Sequence, residues 1–294
     1  RPDTGSYTPA TTWSIDTWGE YLVACSTADG RLLEWQLNAA NDAAAITNAP
    51  TSCAALIVTE ERFIFALGAS GNPRKVAWSD QEDNTVWTAS ATNQAGDFEL
   101  TTVGSILCAK RIRGTTIIFT DVDVHAVSYI GPPYVHSFER VGTGCGVISQ
   151  LSPISTDNAC IWMSKSGFWT YDGFVKRLNC DVGDYVFSNI NVQQSSKVCG
   201  FHNSTFGEVW WFYPSASSTE NDSYVSYNYR ENHWSVGTLS RTCGLNSGVF
   251  TFPLAVSSDG YVYEHEVGFE YDSASIFAES GPIELASGDR VLNI

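Results

Sequence analysis

The sequence predicts an all-β fold, a six-bladed β-propeller of irregular antiparallel blades, on three observations. The first is Glu208–Tyr213, a run of strong strand formers with two apolar faces. Trp210 and Phe212 point one way, and Val209, Trp211 and Tyr213 the other. A strand of this kind needs cover on both sides, which stacked antiparallel sheets supply. The second observation is a β module that recurs six times. The third is the lack of a convincing amphipathic helix. The best candidate, residues 38–47, is Ala-rich but short and is followed by Asn48 and Pro50. It reads as one helical turn or a loop.

In chain order, residues 1–12 are rich in Pro, Thr and Gly and read as an extended arm or linker. The propeller spans residues 13–272. Residues 21–25 turn at Ala28-Asp29-Gly30 into 31–37. Residues 54–59 turn at Glu60-Glu61-Arg62 into 63–67 and reach 75–78 across a Gly/Pro loop. Residues 106–110 turn at Arg113-Gly114 into 115–120, then 124–130. Residues 159–164 turn at Lys165-Ser166-Gly167 into 168–171, and at Asp172-Gly173 into 174–178. Residues 198–202 precede the hairpin of Glu208–Tyr213, whose polar loop 215–222 leads to 223–229 and Trp234. Residues 254–256 turn at Ser258-Asp259-Gly260 into 261–265. The aromatic strands at Trp35, Trp78, Tyr129, Tyr171, Tyr227 and Tyr263 recur at roughly 45 residues, a spacing typical of propeller blades. Five or seven blades, a layered sandwich, or an irregular all-β protein are the competing readings. Residues 273–294 read as a segment leading out of the propeller. A chain that opens on Arg1 and ends abruptly after Asn293-Ile294 is expected to be part of a longer protein.

The formal net charge is −16, which argues against a protein that wraps nucleic acid through Lys and Arg at phosphates. The eight Cys are scattered, without a Cys-x-x-Cys pair, and most sit in apolar or small-residue runs, as buried free thiols do. No run of 18 apolar residues is present, so membrane insertion is not expected. Zinc, haem and dinucleotide motifs are absent, and no cofactor is expected.

Several clusters invite a chemical reading, each with a plainer one beside it. Residues 79–87 resemble a degenerate Asp-box turn without its Gly, and read more simply as an acidic connecting loop. Asp121, Asp123 and His125 alternate, so they share one strand face. They are candidate ligands of a divalent metal, or else a solvated strand edge, which is the favoured reading because no fourth ligand is near. Glu264 and Glu266 flank His265 on one face, poorly spaced for a glycosidase pair. Gly142-Thr143-Gly144-Cys145-Gly146 lacks the Lys-Ser/Thr of a phosphate loop, and close backbone approach between modules explains it. Cys145 has no local His to activate it. Asn203 and Asn221 match the glycosylation pattern. No catalytic residue is assigned, and the chain is expected not to be an enzyme.

A set of phrases in order resembles the propeller protein at the tail hub, or nozzle, of short-tailed bacteriophages, including the packaged-DNA stabilisation proteins. They are Trp18-Gly19-Glu20-Tyr21-Leu22-Val23, Val76-Ala77-Trp78-Ser79-Asp80 with Trp87, and Arg140-Val141-Gly142-Thr143-Gly144-Cys145-Gly146 leading to Ser152 and Trp162-Met163-Ser164. Gly167-Phe168-Trp169-Thr170-Tyr171-Asp172-Gly173, Glu208-Val209-Trp210-Trp211-Phe212-Tyr213-Pro214 and Tyr263-Glu264-His265-Glu266-Val267-Gly268 follow. The resemblance implies a virion component, assembled in the host cytoplasm, that forms a ring with itself, usually sixfold. Such a ring sits below the portal and adaptor, extends their channel, and retains or conducts packaged DNA without binding it specifically. Asp83, Trp87, Glu220, Asn221 and Asp222 are the exposed-loop residues expected at interfaces. The alternatives are a glycan-binding or sialidase-like propeller, or a protein-binding scaffold.

Overall fold

The computed structural model describes residues 10–268 and the backbone of two short strands, Ile283–Ala286 and Asp289–Val291. The expected arm at residues 1–9 and most of the expected C-terminal segment lie outside the described residues.

Six antiparallel meanders surround one axis, so the fold is a six-bladed β-propeller. Blade one is β1 (Trp13–Trp18), β2 (Tyr21–Ser26), β3 (Leu32–Trp35) and β4 (Ala44–Ala45). Blade two is β5 (Ala55–Val58), β6 (Ile64–Leu67), β7 (Lys75–Trp78) and β8 (Gly96–Glu99). Blade three is β9 (Ile106–Ile112), β10 (Thr115–Thr120), β11 (Asp123–Gly131) and β12 (Val135–Thr143). Blade four is β13 (Ile154–Ser155), β14 (Cys160–Ser164), β15 (Gly167–Tyr171) and β16 (Val175–Leu178). Blade five is β17 (Cys199–Asn203), β18 (Glu208–Tyr213), β19 (Ser223–Asn228) and β20 (His233–Thr238). Blade six shows three strands among the described residues, β21 (Cys243–Leu245), β22 (Leu254–Val256) and β23 (Val262–Glu264).

The apolar cores lie between blades rather than within them, because each sheet is apolar on both faces. Trp18 and Val23 of blade one meet Leu56 and Ile64 of blade two. Phe63, Phe65 and Trp78 meet Ile106, Ile118 and Val127 of blade three. Ile117 and Phe119 meet Cys160 and Trp162 of blade four. The two-faced strand β18 behaves as its sequence requires. Val209, Trp211 and Tyr213 pack with Ile154, Ile161 and Phe168 of blade four, and Phe212 packs with Cys199 and Phe201 on the opposite face.

Of the two readings of residues 38–47, one helical turn or a loop, the loop is observed, and no amphipathic helix appears among the described residues. Residues 38–47 hold turns and the two-residue β4, and no helical turn. Among the described residues the α-helix is α1 (Gly183–Asn189), with a 3-10 segment at Val192–Lys197, on the crossing from blade four to blade five. Only Val186 of α1 is buried, so the segment carries no amphipathic stripe for a sequence to display.

The Gly-rich stretch 142–146 is explained by close approach. A Cβ on Gly146 stands 2.2 Å from Val122 N and 2.3 Å from the Asp121 carbonyl carbon, and Gly146 N–H donates to Val122 O at 3.0 Å. Gly146→Ala must therefore push two backbones apart. We expect it to lower stability by about 1–3 kcal/mol in urea unfolding. A neutral result shows that the two segments separate freely.

Candidate functional site: the axial cavity

The first strands of the blades run in parallel around the axis, as the parallel bridge from Leu151 to Cys199 illustrates. Each has a sheet partner on its outer side only, so its inward N–H groups need acceptors from elsewhere. In β1 the alternation of Ser14 and Asp16 supplies them. Leu56 N–H donates to Ser14 Oγ and Val58 N–H to Asp16 Oδ2, both at 2.9 Å. The sequence Trp13-Ser14-Ile15-Asp16 thus places two acceptors toward blade two and leaves Trp13 and Ile15 exposed at the axis.

These strands enclose a cavity of about 610 Å³. Its wall combines apolar Trp13, Ile15 and Leu245 with polar Lys110, Arg111 and Gln150. Arg111 Nη2 reaches from blade three to Asp16 Oδ1 of blade one at 2.8 Å. Thr12 Oγ1 bonds Gln150 Oε1, and Gln150 Nε2 donates to Ala54 O at 3.4 Å. Blades one to four are therefore cross-linked around the axis by side chains. A space of this volume has the size of a small-molecule pocket, and a duplex has no passage through it.

Cys108 lines this cavity, and neither its thiol nor the buried thiols of Cys25, Cys145 and Cys160 elsewhere in the blades is activated. Burial pushes the Cys145 thiol up to about 11, and those of Cys25, Cys108 and Cys160 up to about 12, so all four stay protonated at neutral pH. Six of the eight cysteines are buried, as their sequence contexts suggest, while Cys180 is half-buried and Cys243 exposed.

The alternating acidic cluster is not a solvated edge. Asp123 and His125 are each 3% exposed. They tolerate burial because Asp123 Oδ1 accepts from Thr120 Oγ1 at 2.6 Å and Thr102 Oγ1 at 2.9 Å, and lies 3.2 Å from His125 Nε2. Asp121 precedes β11 and faces elsewhere: its Oδ1 accepts from Ser105 N–H at 2.8 Å, and Lys165 Nζ lies 3.5 Å from its Oδ2. Among the described residues no three His, Cys, Asp or Glu side chains converge as metal ligands.

The expected interface residues separate. Asp83 and Glu220 are exposed, Glu220 beside Lys197 Nζ at 2.5 Å. Trp87 is half-buried against the core between blades one and two, with Nε1 donating to Asn84 O at 2.7 Å, so it braces the chain internally. Its loop is the Asp-box-like stretch, where Glu82 takes φ 62° at a turn that lacks Gly. Asp222 is half-buried and holds Ser215 through its N–H at 2.8 Å and its Oγ at 2.6 Å. Asn221 is 2% exposed and ties Lys197 O to Arg241 O, so it is no loop-tip contact. Neither glycosylation match presents an accessible amide, since Asn203 is 1% exposed. Strand β23 ends at Glu264, so Glu264 and Glu266 share no strand face. Glu266 accepts from Asn203 Nδ2 at 3.1 Å, and His265 Nε2 accepts from Arg241 Nε at 2.9 Å.

No protein-family model matches the chain, and no curated protein matches it in sequence. Solved structures do match. A putative 6-phosphogluconolactonase from Bacteroides uniformis aligns with TM-score 0.56 at 11% identity, over 86% of this chain and 80% of that one. Virginiamycin B lyase from Staphylococcus aureus aligns with TM-score 0.52 at 9% identity, over 92% and 88%. The dihydro-heme d1 dehydrogenase NirN aligns with TM-score 0.53 at 11% identity, over 84% of this chain and 51% of that one. The chain thus spans about half of NirN's length. The likeness is one of fold. Enzymes occur on it, so the architecture alone does not exclude catalysis.

Proposed function

We propose that the chain is a structural, non-enzymatic virion protein, a subunit of a phage tail hub or nozzle ring that extends the portal channel and retains or conducts packaged DNA. The observation that carries this reading is the sixth blade. Its third strand β23 pairs with β22 on one side and has no partner on the other among the described residues. The blade also exposes Val249 fully, Tyr261 by 68%, Val262 by 63% and Phe250 by 51%. A free strand edge beside exposed aromatics is a combination that monomeric proteins suppress and assembling ones use. The tail-hub phrases point the same way. Because the axis of each propeller is crossed by side chains, the DNA path runs between subunits, and the net charge of −16 favours a lumen to which DNA does not adhere.

The test is native mass with negative-stain imaging, of the protein alone and mixed with portal–adaptor particles. Rings of about six copies with an open centre are expected, in line with closed cyclic symmetry. A protein that stays monomeric in both samples overturns the proposal.

A further inference from the structure

The wall of the axial cavity is divided in its chemistry. In a ring of six, blade three stands opposite blade six, so Lys110 and Arg111 of β9 lie across the axis from Leu245 of β21. Trp13 and Ile15 of β1, in the blade next to blade six, continue the apolar side. Leu245 is 56% exposed, Trp13 48% and Ile15 63%, so all three offer open apolar surface. Lys110 and Arg111 are sequence neighbours and leave opposite faces of β9. Both still line the cavity, because the inner strand of a blade turns an edge, not a face, to the axis.

The polar side chains of this wall are engaged, with one exception. Asp16 Oδ1 accepts from Arg111 Nη2 at 2.8 Å and from Thr17 N–H at 2.9 Å, and its Oδ2 is held by Val58 N–H. Gln150 is taken up by Thr12 and Ala54, and Ser155 Oγ donates to Arg111 O at 3.2 Å. Lys110 is the exception. It is half-buried, and among the described residues neither a carboxylate nor a hydrogen-bond acceptor stands against its ammonium. The wall therefore carries a surplus of one positive charge, inside a protein whose net charge is −16. A partly desolvated cation with three donors and no acceptor favours an anion. A neutral molecule leaves the ammonium unpaired, and a dianion exceeds the surplus and meets the Asp16 carboxylate. What matches both sides of the wall is a monoanion with an apolar body.

We propose that the axial cavity binds a small organic monocarboxylate. Its carboxylate accepts from Lys110 Nζ, beside the Arg111–Asp16 pair, and its apolar body lies on Leu245, Ile15 and Trp13. The inference is independent of the ring-subunit reading, since it needs only one propeller.

The experiment is a saturation-transfer NMR titration of the whole protein at pH 7 with phenylacetate and hexanoate, and with phenylacetamide and hexanamide as their neutral counterparts. Saturable binding of at least one carboxylate is expected, about tenfold tighter than that of its amide. The preference should vanish in Lys110→Met and persist in Lys110→Arg. The Lys110 ammonium bonds nothing, so Lys110→Met strands no acceptor and keeps an apolar stem of similar length. Leu245→Ala, at an exposed site on the other side of the axis, should weaken acid and amide by the same factor. If neither carboxylate binds the folded parent protein, the proposal falls. It falls equally if the amides bind as tightly as the acids, or if Lys110→Met keeps the preference.

Discussion

Trp211→Ala is expected to lower the unfolding free energy by about 3–5 kcal/mol, a large share of the roughly 5–15 kcal/mol a folded domain commands. Trp211 is fully buried, packs at 5.0 Å between ring centroids on Phe168, and lies in the core shared by blades four and five. Its Nε1 donates to Ser152 O at 2.9 Å, so truncation also strips a buried carbonyl of its donor. Its neighbour Trp210 is the internal control. That ring is half-buried, stacked on Tyr224 at 4.5 Å, with Nε1 on Glu208 Oε2. Trp210→Ala should cost about 1–2 kcal/mol. Urea unfolding of both variants checks the difference. Equal losses would show that the inter-blade core is not where β18 gains its stability.

The contrast between these two tryptophans also marks what the sequence makes legible. A central strand is visible because both of its faces are apolar. Strands β6, β7, β10, β14, β15 and β18 all stand out in this way, as does the apolar first strand β5, and with them the blade repeat. The ends of the blades are hidden for two different physical reasons. Outer strand β8 is half to fully exposed, and β4 is two exposed residues, so neither displays a period. Inner strands β13 and β21 are two and three residues long, too short for any period. The axial site was hidden with them. Ser14, Asp16, Arg111 and Gln150 matter because six strands converge on an axis, and nothing local announces that meeting, although the polar alternation at Ser14 and Asp16 was a signal of a half-satisfied strand. The misplacement of Asp123, His125 and Asn221 on the surface has a common cause. A polar residue in sequence looks solvated, and the Thr hydroxyls or main-chain carbonyls that make its burial affordable come from distant segments.

Acid should destabilise the propeller well above the carboxylate range, and one histidine should account for about 3 kcal/mol of the loss. His136 is 7% exposed and boxed by Phe63, Phe65, Trp78 and Tyr129, with Nε2 unpartnered and no charged group against its ring. Burial pushes its pKa down from 6.5 to about 4. Between those values the unfolded chain binds a proton that the folded one refuses, so stability rises with pH across the window. The stabilisation is whole above about pH 6.5, is lost progressively as pH falls, and falls no further below about pH 4. Burial lowers His125, His202 and His265 as well, each acting in the same direction, so the slope of the parent protein belongs to several groups. His136→Phe isolates the one. A phenyl ring keeps the aromatic box and removes a buried nitrogen that bonds nothing, so neutral-pH stability should hold or increase. Melting temperatures of parent and variant, followed by circular dichroism from pH 7.5 to 4.5, should diverge steadily as pH falls, with the variant higher. Parallel curves would mean that His136 is protonated within the fold, and that its box opens to water at a cost far below what its burial implies.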